Sequence, residues 1–304
     1  MFTKANSEES IPGPGRVPRI TSRTRIANLA RQILPPFVLG IWRRLKRSDA
    51  KPVLQYAEKG WNTLAAGSEN GWDRDLVVRT EAAKWGEFRK NLQSTGPLGF
   101  SHEHTDLTET RNVHFHNINL SFAYVLAFAA RQKTELSVLD WGGGLGHYYL
   151  IGRTVLPDLH LKFDCREVPL MCEQGSQLCP EVRFYSDDKC LENQYDLVMV
   201  NGSLGYFKDW KDVLTRLCDA VGSYLFLTRV LTVQHSSSFV VLQRTDVYGY
   251  NSDMLTQVFN DAEVLSVVRD CGLRLVREFV VGEGPTIVGA PEQCRDCGWL
   301  FERP

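Results

Sequence analysis

Asp140, Gly142, Gly144 and Gly146 stand at alternate positions in VLDWGGGLGHYYL, residues 138–150, where an apolar run gives way to helix-like spacing. Glycine admits positive φ and lets a ligand approach the backbone without meeting a Cβ. Four glycines in five positions therefore suit a close contact. Phosphates, dinucleotides and S-adenosylmethionine (SAM) are all held by turns of this kind, and spacing separates them. A phosphate-binding P-loop needs a lysine after its last glycine, where this chain has His147. The dinucleotide pattern G-x-G-x-x-G needs glycine where this chain has His147 or, in the other register, Tyr149. SAM carries an ammonium and a sulfonium but no phosphate, so the acid in the turn attracts it and would repel a pyrophosphate.

The elements around the turn must place it at the end of a sheet. LSVLDW (136–141), LHLKFDCREV (159–168), VRFYS (182–186), YDLVMVNGS (195–203) and SYLFLTRVL (223–231) read as strands separated by helical stretches. LRLVREFVV (273–281) and CGWLFER (297–303) follow without a helix between them, which suits an antiparallel pair at the sheet edge. Strands alternating with helices predict an α/β fold, a doubly wound, Rossmann-like, mostly parallel sheet covered on both faces. Before it, VLQYAEKGWNTLAA, Asp75–Leu92 and Asn117–Arg131 carry helical spacing and predict an N-terminal helical cap. Asp253–Cys271 has the same spacing. The expected division is a basic tail at 1–51, a cap and acceptor region at 52–133 and the ligand-binding domain at 134–304.

Composition narrows the function classes. The 304 residues are 43% hydrophobic and carry a net charge of -1, which makes no whole-protein case for nucleic acid. Residues 1–51 hold eleven Lys/Arg against three acids, so a basic arm precedes an acidic body. Within the arm, ILPPFVLGIW (33–42) is too short to span a bilayer and is followed by Arg43, Arg44, Lys46 and Arg47. Such a segment can lie on an anionic membrane surface or be a basic leader. With no secretory pattern, a cytoplasmic protein is expected, peripheral at the inner membrane face if the arm binds there. Eight scattered cysteines read as reduced thiols, and Cys294-Arg-Asp-Cys297 offers two ligands where structural zinc wants four. No metal is expected, and the pair reads as two thiols on a surface loop.

The pattern D-x-G-x-G-x-G resembles the first motif of the class I SAM-dependent methyltransferases, and the likeness extends over residues 134–304. The resemblance implies that Asp140, Gly142, Gly144 and Gly146 hold SAM. It implies Glu167 at the ribose, Asp187 and Asp188 at the adenine, and Asn201 in the loop facing the ligand. A narrower likeness, carried by GW near 60 and 71, NGSLGYFKDW, LTRVL and SSFVVLQ, is to a bacterial methyltransferase family often encoded among surface-polysaccharide biosynthesis genes. It implies O-methylation of a sugar or polysaccharide precursor, with a carbohydrate or glycolipid precursor as partner. A non-catalytic SAM-fold scaffold and an NAD-dependent oxidoreductase are the rivals.

Methyl transfer to a hydroxyl needs a base; alignment alone can serve other acceptors. His102-Glu103-His104 and His114-Phe115-His116 are the histidine clusters, whose ordinary reading is exposed loop. In an extended stretch His114 and His116 would share one side. His147 reads as packing beside the start of its helix. Tyr206 either meets substrate or packs with Phe207 and Trp210. Arg229, inside an apolar strand, must be paired or face a ligand, as an anchor for phosphate or carboxylate. Gln243 and Arg244 are further candidates for an acceptor pocket.

Overall fold

LSVLDW and YDLVMVN are apolar on both faces, and both become central strands. The computed structural model describes residues 53–64, 71–104 and 106–304. The expectations for the basic tail fall outside these residues. In chain order the strands are β1 (Leu54–Tyr56), β2 (Glu135–Trp141), β3 (His160–Arg166), β4 (Arg183–Tyr185), β5 (Tyr195–Asn201), β6 (Val221–Val233), β7 (Phe239–Arg244), β8 (Asp253–Asn260), β9 (Arg274–Gly282), β10 (Ile287–Val288) and β11 (Arg295–Glu302). The helices are α1 (Asp75–Gln93), α2 (Val113–Ala129), α3 (His147–Val155), α4 (Pro169–Leu178), α5 (Trp210–Asp219) and α6 (Asp261–Asp270).

The main sheet runs β4-β3-β2-β5-β6-β11-β9, with β4 to β6 mutually parallel and β11 antiparallel to both neighbours. The chain winds outward from β2 through β3 to β4, then returns to the other side of β2 with β5. The order therefore reverses between β2 and β5, and in an open α/β sheet ligands bind at the carboxyl ends of the strands at such a point. Leu136 and Val138 face a core shared with α1, α2 and α3, while Leu139 and Trp141 face one shared with α5 and α6. Both faces are covered, as a parallel sheet requires.

β6 is long enough to serve two sheets. Its first part pairs with β5, and its last residues, Thr232 and Val233, pair instead with Phe259 and Asn260 of β8. From β8 a smaller sheet continues through β7 and β1 to β10. Where β6 passes from one sheet to the other it bulges. Leu227 and Val230 oppose Trp299 and Cys297, so three steps on β6 face two on β11, and Arg229 has φ of 55°. A bulge of this kind bends a strand and re-aims a side chain.

Two helical expectations are corrected. Leu54–Tyr56 is a strand paired with β7, followed by a single 3-10 turn at Gly60–Asn62. Asp253–Asn260 is also a strand, and α6 starts only at Asp261, with the Asn260 side chain accepting the Ala262 N–H at 3.1 Å. Over so few residues the apolar spacings of helix and strand coincide, and pairing with β7 decides. Cys294 and Cys297 are not on a surface loop: Cys294 is buried, and Cys297 sits in β11 against Thr232. The eight cysteines are unpaired thiols. Among the described residues no helix is long and apolar enough to cross a membrane, and no group of three or more His, Cys, Asp or Glu is placed to hold a metal.

Candidate functional site

β2 ends at Trp141 and the chain turns over its own strand end. Gly142, Gly144 and Gly146 have φ of 77°, 60° and 92°, a region that side chains disfavour. A Cβ on Gly142 would sit 2.4 Å from Ser203 Cβ in the loop after β5, so the two loops meet only because that position is glycine. Three of the turn's N–H groups are already engaged. Gly142 donates to the Arg166 carbonyl at 2.9 Å, Gly146 to the Gly143 carbonyl at 3.2 Å, and Gly144 to Glu167 Oε1 at 3.0 Å. The other Glu167 oxygen accepts the Val168 N–H at 2.7 Å. Glu167, just beyond the end of β3, thus clamps the turn with its carboxylate on the cavity wall, and burial raises its pKa.

Asp140 is placed differently from the expectation that its charge meets the ligand. It is fully buried behind the turn, on the face shared with Cys165, and neither carboxylate oxygen has a hydrogen-bond partner. Burial, and then the Glu167 carboxylate, push its pKa well above the ordinary aspartate value. Asn201, at the end of β5, lines the cavity with an unpartnered amide. Gly142, Gly144, Met171 and Ser203 complete that wall.

The opposite wall comes from the cap. Glu81 of α1 is 3% exposed, and its Oε1 accepts from Lys84 Nζ at 2.8 Å and from the Tyr250 hydroxyl. Burial raises Glu81 to about 7. His102 stacks on His147 with ring centroids 3.9 Å apart. Burial, with Arg229 and Lys84 nearby, lowers His102 to about 3, and burial also holds His147 well below the usual value, so both rings are neutral. The His147 nitrogens have no partner, and the ring packs against Trp85 and Phe88. This cavity measures about 120 Å³. That is less than the roughly 300–1,000 Å³ of ligand sites, and Trp72 and Phe207 border it.

A second cavity, of about 460 Å³, shares Gly202, Tyr206 and Arg229 with the first. Arg229 makes a two-point ion pair with Glu103, with N–O distances of 2.8 and 2.6 Å, which ties the cap loop to β6. This arginine is paired, and it also lines both cavities. Tyr206 donates to Gln243 Oε1 at 2.8 Å and packs edge-on against Trp72. His114 lines the larger cavity with its Nε2 3.6 Å from Asp296 Oδ2.

Several expected residues are not brought together. His114 and His116 lie in the first turn of α2, not in an extended stretch, so they diverge, and His116 lines neither cavity. Asp188 is held by Arg166 at 3.2 Å and Arg216 at 2.9 Å, while Asp187 caps the short helix Asp188–Glu192 and meets Lys189. Neither aspartate lines the cavity at the turn. Gly146 starts α3 and packs near Cys179. Arg244 lines neither cavity. Sequence reasoning did not single out Glu81 or Asp296. Glu81 carries a faint signal, an acid on the apolar stripe of α1 between Val77 and Trp85; Asp296 looks like one more charge between two cysteines.

No protein-family model matches the chain, and no curated protein does. Solved structures of similar fold include a magnesium protoporphyrin IX methyltransferase from Synechocystis PCC 6803 with bound SAM. It is 12% identical over 75% of this chain and 96% of that one, at a TM-score of 0.44. A 1,6-didemethyltoxoflavin-N1-methyltransferase from Burkholderia thailandensis, with S-adenosylhomocysteine, is 14% identical over 79% and 98%, at a TM-score of 0.44. An O-methyltransferase family protein from the same species is 18% identical over 75% and 71%, at a TM-score of 0.43.

Proposed function

We propose that this chain is a SAM-dependent methyltransferase acting on a hydroxyl of a small, hydroxyl-rich acceptor such as a sugar or polysaccharide precursor. One observation carries the cofactor reading: the glycine turn sits at the switch point of the sheet with the N–H groups of Gly142, Gly144 and Gly146 engaged and the Glu167 carboxylate beside them. A pyrophosphate would meet a carboxylate there and none of those donors; a cationic ligand meets attraction. Glu167, Asn201 and the backbone of Gly142 and Gly144, which line the smaller cavity, would hold SAM, whose chemical contribution when bound is an electrophilic methyl on sulfur.

The acceptor reading rests on the larger cavity. Its wall carries Tyr206, Thr228, Gln243, Tyr248, Thr256 and Gln257, hydroxyls and amides that suit a neutral ligand with many hydroxyls. Arg229 stands between the two cavities, where it can orient a polar group at their junction. Calorimetry with SAM and NAD side by side tests the cofactor, and binding of NAD alone would overturn the reading. Formation of S-adenosylhomocysteine (SAH) with a panel of methyl glycosides and phenols tests the acceptor. SAM binding without SAH formation would leave the scaffold reading in its place.

A further inference from the structure

Asp296 is a buried acid in contact with neither the turn nor the cofactor residues. It lies in β11 between Leu231 of β6 and Gly282 of β9, is 6% exposed, and lines the larger cavity. Its Oδ1 has no hydrogen-bond partner, and Oδ2 is 3.6 Å from His114 Nε2. Gly282 makes room for that imidazole, since a Cβ there would come within 2.7 Å of Nδ1. The groups around the carboxylate are His114 from α2, Arg229 from β6, Glu103 from the cap loop, and Glu283, which lines the same cavity. Arg295, the residue before it, turns away to Asp261 at 2.8 Å. A buried carboxylate oxygen without a donor is costly, and the side chain as a whole borders the larger cavity, where an acceptor hydroxyl can meet the carboxylate.

Resting on the methyltransferase reading above, we propose that Asp296 is the general base for the acceptor hydroxyl, with His114 as its positioning residue, so that the methylated atom is oxygen. The hydroxyl proton passes to the Asp296 carboxylate, and an oxygen lone pair forms the new O–C bond. The C–S bond breaks with its electron pair left on sulfur, so the sulfonium charge and the carboxylate charge are discharged together. Burial supports the role: it raises Asp296 to about 6, with Arg229 opposing and Glu103 adding to the rise. The group is thus charged at neutral pH yet a stronger base than an exposed aspartate. His114 is lowered by burial and by Arg229 and stays a neutral imidazole.

The test uses the full chain with methyl glycosides and phenols as hydroxyl probes and the matching amines as controls. SAH affinity should agree within about twofold between wild type and Asp296→Asn, while kcat on the best hydroxyl probe falls at least ~100-fold. Wild-type kcat/KM should drop tenfold per pH unit below about 6, the acid limb belonging to Asp296. Asp296→Asn should lose that limb, and His114→Gln should keep it, displaced, with about a tenfold lower kcat. In the cofactor-free protein a carboxyl carbon resonance should titrate near pH 6 and be missing from Asp296→Asn. Should that variant not fold, the wild-type limb and titration still decide. An ordinary aspartate titration, a wild-type rate in Asp296→Asn, a limb that vanishes only in His114→Gln, or methylation of amines alone overturns the proposal. Wild type that binds no SAH overturns the cofactor reading instead, and the cofactor-free titration tells the two failures apart.

Discussion

Glu167 and Asp140 are both acids at strand ends, yet they stand on opposite sides of one turn. Glu167 spends its two oxygens on the Gly144 and Val168 N–H groups and still presents its carboxylate to the cavity. Glu167→Ala should therefore weaken SAM binding by about 10- to 100-fold, the worth of a hydrogen bond to a charged group, read by calorimetry. Asp140 has no partner, and its pKa is raised by burial. Raised above its unfolded value, it binds a proton more tightly in the folded state. Its contribution is fully present below the unfolded pKa and lost as pH climbs towards the folded one. Asp140→Asn carries no such loss. Its stability relative to wild type should grow by about 1.4 kcal/mol per pH unit above pH 4 until the folded pKa is reached. Urea titrations at several pH values check this, and a constant difference would show that Asp140 ionises freely. Sequence could identify both acids as belonging to the turn, but not which faced the ligand, because that depends on the parity of β2 against its helices.

At the scale of elements, the glycine turn and the β6 bulge do the positioning. The turn was legible because it needs specific residues in a row, and glycine has no substitute at positive φ beside a neighbouring loop. Gly142→Ala should place a methyl group on Ser203 and force φ of 77° on a residue with a side chain. We expect SAM affinity to fall at least tenfold and Tm to fall by several degrees, from a backbone cost of roughly 1–2 kcal/mol plus the clash. Retained affinity would mean that the loop after β5 yields freely. The bulge was not legible. LFLTRVL shows only an arginine in an apolar run, and the extra residue on β6 arises from its pairing with β11 on one edge and β8 beyond. The same holds for β1 and β8, short stretches whose helical spacing was overruled by a partner more than a hundred residues away or across a hairpin.

At the scale of the whole molecule, residues 52–304 form one compact unit by themselves. Removing residues 1–51 should leave SAM affinity within about twofold. On the proposal that the basic arm holds the protein at a membrane surface, the full chain should sediment with vesicles containing anionic lipid, and less so at high salt. The shortened chain should stay in the supernatant. Equal sedimentation of the two would sink the membrane role.

What the sequence determined by itself was whatever depends on neighbours along the chain. The alternation of strands and helices, the glycine spacing that rejects phosphate loops, and the acid at the end of β3 are all local patterns with local physical causes. The tertiary structure decided everything that depends on distant partners. It turned Asp140 inward, tied Asp188 to two arginines, separated His114 from His116, paired Arg229 with Glu103 and brought Asp296 to a cavity beside His114. Burial and charge at a site are sums over atoms from many segments, and a linear pattern cannot contain those sums until the chain has folded.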